Sequence, residues 1–396
     1  MRGWLPLLLF CACTQGGAPS VPMNPDADAS SQVHDAGRAP PLDAEAPARD
    51  AAPDSLTEDA GGPLTLTAFP RRGSATDDSR PAQGPGLLLA GGGADVDAAF
   101  VWAHDAVVGG KARGGDALVL RATGADGYDT YLDGLAQWNS VQTLRIPANA
   151  TARDLAYAAR AIDAAEVVFF AGGNQADYVA WNGSPLMRAV ERVHARGGVV
   201  GGTSAGCAIL GAFVNDATLA ISESITSKTM MANPYDPSVH FTNGMLTFAP
   251  LAQTVTDMHF SARDRMGRLV GFMARQVSDG RVAGPLPTVY GVAVDEGAAL
   301  LIDKTSIGKV VRQGRSGSAF VVRGGTPDRA VAGQPLIYRD LSVLRVEAPT
   351  DDYDFRRHCG HGQGYPLTAA GLSSPPTYAY TPNNPYSASG AAETCP

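Results

Sequence analysis

Long apolar runs are nearly absent. The first, Leu5-Pro6-Leu7-Leu8-Leu9-Phe10, is too short to cross a bilayer, and no later segment approaches the roughly 20 apolar residues that a spanning helix needs. Basic excess is absent as well: 31 Lys and Arg against 39 Asp and Glu give a net charge of -8, which argues against nucleic acid as a partner. Cysteine is scarce, with five in 396 residues. No G-x-G-x-x-G and no P-loop lysine follows Gly91-Gly92-Gly93-Ala94-Asp95, so that run reads as a tight strand-to-helix turn rather than a phosphate cradle. Internal repeats are absent too.

What is present begins with an export pattern. One basic residue, a brief apolar run and small residues occupy Met1 to Cys13. Ala12-Cys13 resembles the end of a bacterial lipobox, with Cys13 lipidated as the mature N-terminus, and ordinary secretion is the alternative. Residues 14–63 are Ala, Pro, Asp and Gly with almost no large apolar side chain. They cannot bury enough surface to offset their ordering entropy, so an acidic disordered spacer is expected. The membrane is then approached only through the lipid, as an outer-membrane or cell-surface lipoprotein, or else the protein is periplasmic or secreted. Of the three cysteines beyond the leader, Cys359 and Cys395 are candidates for a staple in an oxidising compartment, and Cys207 reads as a small core residue.

The folded body is expected over residues 64–346, with a C-terminal tail over 347–396 whose end, Ser373 to Pro396, is loop-like in composition. Short apolar runs at Gly86–Ala90, Ala117–Leu120, Val141–Ile146, Val167–Phe170 and Val199–Val200 alternate with helical patterns. One helix is expected over Thr151–Ala164. Another opens at Ser184-Pro185 with Leu186, Val190 and Val193 as its apolar stripe. Such alternation predicts an α/β fold, a mostly parallel sheet with helices on both faces. Short alternating strands over 290–346 add a β-rich extension. The stretch Ser222–Asn243 reads as a long loop over the site or a crossover.

In parallel sheets functional groups gather at the carboxyl ends of the strands. There stands Gly202-Thr203-Ser204-Ala205-Gly206, a G-x-S-x-G turn from strand to helix that would expose the Ser204 hydroxyl. A serine needs a base, and the base an orienting group. Of seven histidines, His34 lies in the spacer, His104 and His194 on expected helices and His240 in the irregular stretch. His358-Cys359-Gly360-His361 lacks the rest of a metal ligand set, and neither metal nor cofactor is expected. His259 remains, preceded by Asp257 and followed by Arg263, Arg265 and Arg268. Those charges read either as a solvated helix with an Asp264–Arg268 pair or as a cradle for a substrate carboxylate. Glu296, after the strand Gly291–Val294, becomes attractive as the orienting acid only together with Ser204 and His259.

These motifs together resemble the cyanophycinase-like branch of the S51 serine peptidase family, which also includes dipeptidase E. The resemblance rests on Phe170-Ala171-Gly172-Gly173-Asn174-Gln175, Gly201–Gly206, Asp257-Met258-His259-Phe260 with Arg263, Arg265 and Gly267-Arg268-Leu269, and Gly291–Glu296, spanning Gly86 to Asp303. It implies a class I glutamine-amidotransferase-like fold. It further implies Ser204 as nucleophile, His259 as base, Glu296 as orienter, and the Gly173 and Ala205 N–H groups as oxyanion donors. Gln175, Asp257, Arg263, Arg265 and Arg268 would line the substrate pocket, and the substrate would be cyanophycin or a related acidic, β-aspartyl peptide. Asn174 stands where the family usually has aspartate, and Met258 where it has glutamine.

Two other functions keep the same residues. An α/β-hydrolase esterase orders its triad serine, acid, histidine, and would need Asp257 with a later base such as His358. A non-catalytic exported binding protein would retain the fold without a base at the serine.

Overall fold

Parallel strands covered by helices on both faces must be apolar throughout, and the central strands are. The computed structural model describes residues 63–282, 284–373, 376–391 and 395; the expected leader, Cys13 and the spacer up to residue 62 lie outside the described residues. Two short strands, β1 (Thr67–Ala68) and β2 (Arg72–Gly73), precede the alternating part. That part runs β3 (Gly86–Ala90), α1 (Asp97–Val108), β4 (Asp116–Arg121), α2 (Asp129–Leu135), β5 (Ser140–Arg145), α3 (Ala152–Asp163) and β6 (Val167–Phe170). It continues through α4 (Gln175–Val179), α5 (Pro185–Ala195), β7 (Val199–Thr203) and α6 (Ala205–Ala208).

Strands β5, β4, β6, β7 and β3 lie side by side in that order, all parallel. Alternate side chains of β3 serve the two layers. Leu87 and Leu89 pack with Ala158 and Ile162 of α3 and Leu186 and Val190 of α5, while Leu88 and Ala90 pack with Phe100 and Ala103 of α1. The helices begin where their caps dictate. Thr151 Oγ1 accepts the N–H of Asp154, whose carboxylate accepts the N–H of Thr151, a capping box that starts α3. Ser184 caps α5, with Pro185 in its first turn.

The second half comprises β8 (Phe213–Asn215), α7 (Ser227–Ala232), β9 (Phe241–Asn243), β10 (Thr254–Met258), α8 (Met266–Ser278) and β11 (Val289–Val294). After it come β12 (Ala298–Ile302), β13 (Ile307–Arg312), β14 (Ala319–Gly324) and β15 (Ile337–Val346). The last strands are β16 (Asp352–Asp354), β17 (Cys359–His361), β18 (Gln363–Ser373) and β19 (Pro376–Thr381). Strand β12 joins the first sheet antiparallel to β3, and β13, β16 and β17 extend that edge. A second sheet has the order β19-β18-β15-β14-β11-β10-β8-β9, with β10 parallel to both β11 and β8. The architecture is α/β with a β-rich C-terminal part.

Two expectations need correction. Residues 222–243 are not one long loop: α7 lies within them, and its Met230 and Met231 are fully buried with Leu269, Val270 and Met273 of α8. Burying each such side chain is worth about 1.5–3 kcal/mol, so local irregularity of sequence gave way to packing. The end from Ser373 is not all loop-like either, since β19 pairs with β18, which itself pairs with β15. Cys359 and Cys395 are disulfide-bonded, and Cys207 is free and buried.

Candidate functional site

Three strand ends meet at one point. Strand β7 delivers Ser204, β10 delivers His259, and β11 delivers Glu296 at the turn where the chain passes from the second sheet into the first. Ser204 Oγ lies 2.9 Å from His259 Nε2, and His259 Nδ1 lies 2.6 Å from Glu296 Oε1.

The turn at Ser204 is strained, with φ 51° and ψ -119°. Its packing leaves no room for larger neighbours: a Cβ at Gly206 would fall 2.2 Å from the Phe170 carbonyl oxygen. Ala205 opens α6, so its N–H has no acceptor within the helix. Gly173 follows β6 on an exposed turn. Asn174, where aspartate was expected from the resemblance, caps α4 by accepting the Ala176 N–H at 3.2 Å, a task both residues perform.

His259 is 93% buried and has φ 52°, a conformation a non-glycine residue holds only under constraint. Its N–H donates to the Gly91 carbonyl at 2.7 Å. The residues after it turn back on themselves, and Asp295 ties that turn to the one carrying Glu296. One Asp295 oxygen accepts the Ser261 N–H at 2.9 Å and the Ser261 hydroxyl, and the other accepts the Ser318 N–H at 2.9 Å. Burial pushes the imidazole below its ordinary value. The hydrogen bond to Glu296 opposes that shift, and the charges of Arg263 and Arg265 add to it. The ring is therefore a neutral proton acceptor at pH 7.

The arginines divide. Arg268 is buried, with Nε 2.9 Å from Asp257 Oδ2, Nη2 on Asp257 Oδ1, and Nη1 donating to the Ser222 carbonyl at 2.7 Å. Arg265 is buried too, donating to the Met258 carbonyl at 2.8 Å, with the Met258 sulfur at 3.2 Å. Burial lowers its pKa to about 10. Gln175 donates to the Asn215 carbonyl at 3.1 Å and is buried. Contrary to the expected pocket, Asp257, Arg265, Arg268 and Gln175 are thus enclosed and engaged with protein partners. The expected Asp264–Arg268 pair does not form either, because Asp257 takes the guanidinium. Arg263 alone of the three arginines is open, its side chain 38% exposed, with Nε 3.9 Å from Glu296 and Nη1 3.4 Å from Glu223.

The esterase alternative finds no support in this geometry: Asp257 is spent on Arg268, and His358 stacks on Tyr290 at 4.3 Å. Among the described residues no group of three or more His, Cys, Asp or Glu could hold a metal ion. Sequence reasoning missed Gly92 and Asp295. The signal for the first was present in the triple glycine at the end of a strand; the second was hidden beside Glu296.

No protein-family model and no curated protein matches the chain. Solved structures do align with it, two of them as follows. A peptidase from an acI-B1 Actinobacterium is 15% identical with a TM-score of 0.40, covering 67% of this chain and 95% of that one. A provisionally assigned Peptidase E protein from Listeria monocytogenes EGD-e is 13% identical with a TM-score of 0.38, covering 58% and 100%. Likeness of this size leaves the geometry of the site itself as the ground for a functional reading.

Proposed function

We propose that the protein is a serine hydrolase of peptide-type bonds, with Ser204 as nucleophile, His259 as general base and then acid, and Glu296 as the group that orients the imidazole. The observation that carries the reading is the unbroken series Ser204 Oγ, His259 Nε2, His259 Nδ1, Glu296 Oε1, with steps of 2.9 and 2.6 Å. His259 takes the hydroxyl proton as Ser204 attacks the carbonyl carbon, the N–H groups of Gly173 and Ala205 receive the oxyanion, and the imidazolium returns the proton to the departing amine. Water then repeats the sequence on the acyl-enzyme. Removing one oxyanion donor costs on the order of 3 kcal/mol of transition-state stabilisation.

Arg263 supports an acidic substrate, since it is an exposed guanidinium beside the reacting groups. The resemblance narrows this to β-aspartyl peptides, cyanophycin among them, and makes the enzyme an exopeptidase of the S51 type. The disulfide and the leader pattern fit action after export, with Cys13 as the lipid anchor.

The experiment is labelling with a fluorophosphonate, followed by incubation with cyanophycin and with isolated β-aspartyl dipeptides and identification of the products. Labelling lost in Ser204→Ala, with release of β-aspartyl dipeptides, is expected. Absence of Ser204-dependent labelling would favour the binding-protein alternative, and labelling with cleavage only of short acyl esters would overturn the peptide assignment.

A further inference from the structure

Helix α8 starts immediately after the turn that carries His259, and it has no local cap: Arg265, at the cap position, makes no side-chain capping hydrogen bond. The first N–H groups of a helix lack intrahelical acceptors and must find others. Here they find hydroxyls from far along the chain. The Met266 N–H donates to Tyr386 Oη at 2.8 Å, the Gly267 N–H to Tyr380 Oη at 2.8 Å, and the Arg268 N–H to Ser227 Oγ at 3.0 Å.

The same segment grips the residue that closes the His259 turn. Asp264 has φ 45°, a left-handed conformation. Its carboxylate accepts the Tyr386 hydroxyl at 2.6 Å on Oδ1 and the Tyr378 hydroxyl on Oδ2, and its carbonyl accepts the Ser227 hydroxyl. The Tyr386 ring packs edge-on against Phe260, the residue after His259, at 5.6 Å. The gripping segment is itself anchored. Arg345 of β15 donates to the Tyr386 carbonyl at 2.5 Å, Tyr365 of β18 donates to the Pro385 carbonyl, and Cys395 is bonded to Cys359.

We propose that the C-terminal segment bearing Tyr378, Tyr380 and Tyr386 is a positioning clamp that acts through Asp264 to hold the strained His259 turn in register with Ser204 and Glu296. None of the three tyrosines touches the reacting groups. They act by denying the turn the relaxation that two left-handed residues, His259 and Asp264, would otherwise seek. A misplacement of about 1 Å at the base can cost on the order of 10²-fold in rate, so a clamp of this kind has leverage. The inference rests on the serine-hydrolase reading for its catalytic consequence. Its structural content is independent of it.

The test uses the Tyr378→Phe, Tyr386→Phe double variant of the full chain, which keeps both rings and removes two hydroxyls. Two readouts are compared with wild type: the low-field Nδ1–H proton resonance of His259, assigned by its loss in His259→Asn, and the rate of Ser204 labelling by a fluorophosphonate. The clamp predicts that the resonance broadens or disappears and that labelling slows at least about 10-fold. A resonance and a labelling rate unchanged from wild type overturn it. Asp264→Asn, which keeps one carbonyl acceptor, is expected to fall between the two and decides the matter if the double variant does not fold. Wild-type protein that shows the resonance but no labelling refutes the hydrolase reading, while the resonance comparison still judges the clamp.

Discussion

His259 occupies the space that a side chain on Gly92 would need: a Cβ at Gly92 would lie 2.3 Å from His259 Cε1 and 2.5 Å from Nε2. Gly92 has φ 89°, so the backbone favours glycine there on two independent grounds. Its carbonyl accepts the Gly297 N–H at 2.9 Å, while the preceding carbonyl of Gly91 accepts the N–H of His259 at 2.7 Å. The glycine run is thus a shelf that fixes the height of the imidazole and, through Gly297, the turn that presents Glu296.

Gly92→Ala should therefore displace the imidazole from Ser204 while leaving the sheets intact. We expect Ser204 labelling to fall by on the order of 10²-fold or more. Circular dichroism should report unchanged secondary structure. Labelling at the wild-type rate would mean that the ring tolerates displacement and that the shelf has no functional weight.

Acid should abolish the proposed hydrolysis below the ordinary imidazole value. Burial depresses the pKa of His259, so the ring stays neutral as pH falls past about 6.5 and becomes protonated only further down. kcat/KM should be level above neutrality and fall as pH drops through a midpoint below about 6.5. The sign for stability is the same. A depressed folded pKa contributes stability that is fully present above the unfolded value and is lost as pH falls through the folded one. A midpoint above about 7 would contradict a buried neutral base.

The parallel sheet was legible because its strands are short apolar runs separated by capped helices, and Thr151 and Ser184-Pro185 announce those caps locally. Ser204 was legible because the tight approach of Gly206 to Phe170 demands glycine. His259 could be reached only by elimination, and Glu296 only in combination with it. The roles of Arg265 and Arg268 were not legible, because a guanidinium seeking a buried Asp257 and one seeking a substrate carboxylate have the same sequence. The C-terminal strands escaped for a different reason. Pro, Ser and Gly in that segment signal turns locally, whereas the Tyr386, Tyr380 and Tyr378 contacts that order it come from more than a hundred residues away.

Glu296→Gln should leave the fold unchanged, because the carboxylate is exposed and its neighbours are held by Asp295 instead. The amide can orient the ring but cannot stabilise an imidazolium as a carboxylate does. We expect kcat to drop by on the order of 10²-fold or more with KM little changed, measured on the substrate that the product analysis identifies. An equal rise in KM with kcat preserved would assign Glu296 to binding instead.

Arg263 and Arg268 should separate binding from stability. Arg268 forms a two-point ion pair with Asp257 inside the protein, and its removal leaves the buried carboxylate with only Arg265, at 3.5 Å, as a charged partner, so the cost approaches the roughly 3–5 kcal/mol of breaking a buried pair. Arg268→Ala should accordingly lower the urea midpoint sharply. Arg263 is exposed, and its pairing with Glu223 in solvent is worth little, so Arg263→Ala should leave that midpoint nearly unchanged. Its effect should appear in KM, raised more for acidic than for neutral peptides. Equal losses on both kinds of substrate would withdraw Arg263 from substrate recognition, and a urea midpoint unmoved in Arg268→Ala would mean that the Asp257 pair adds nothing to stability.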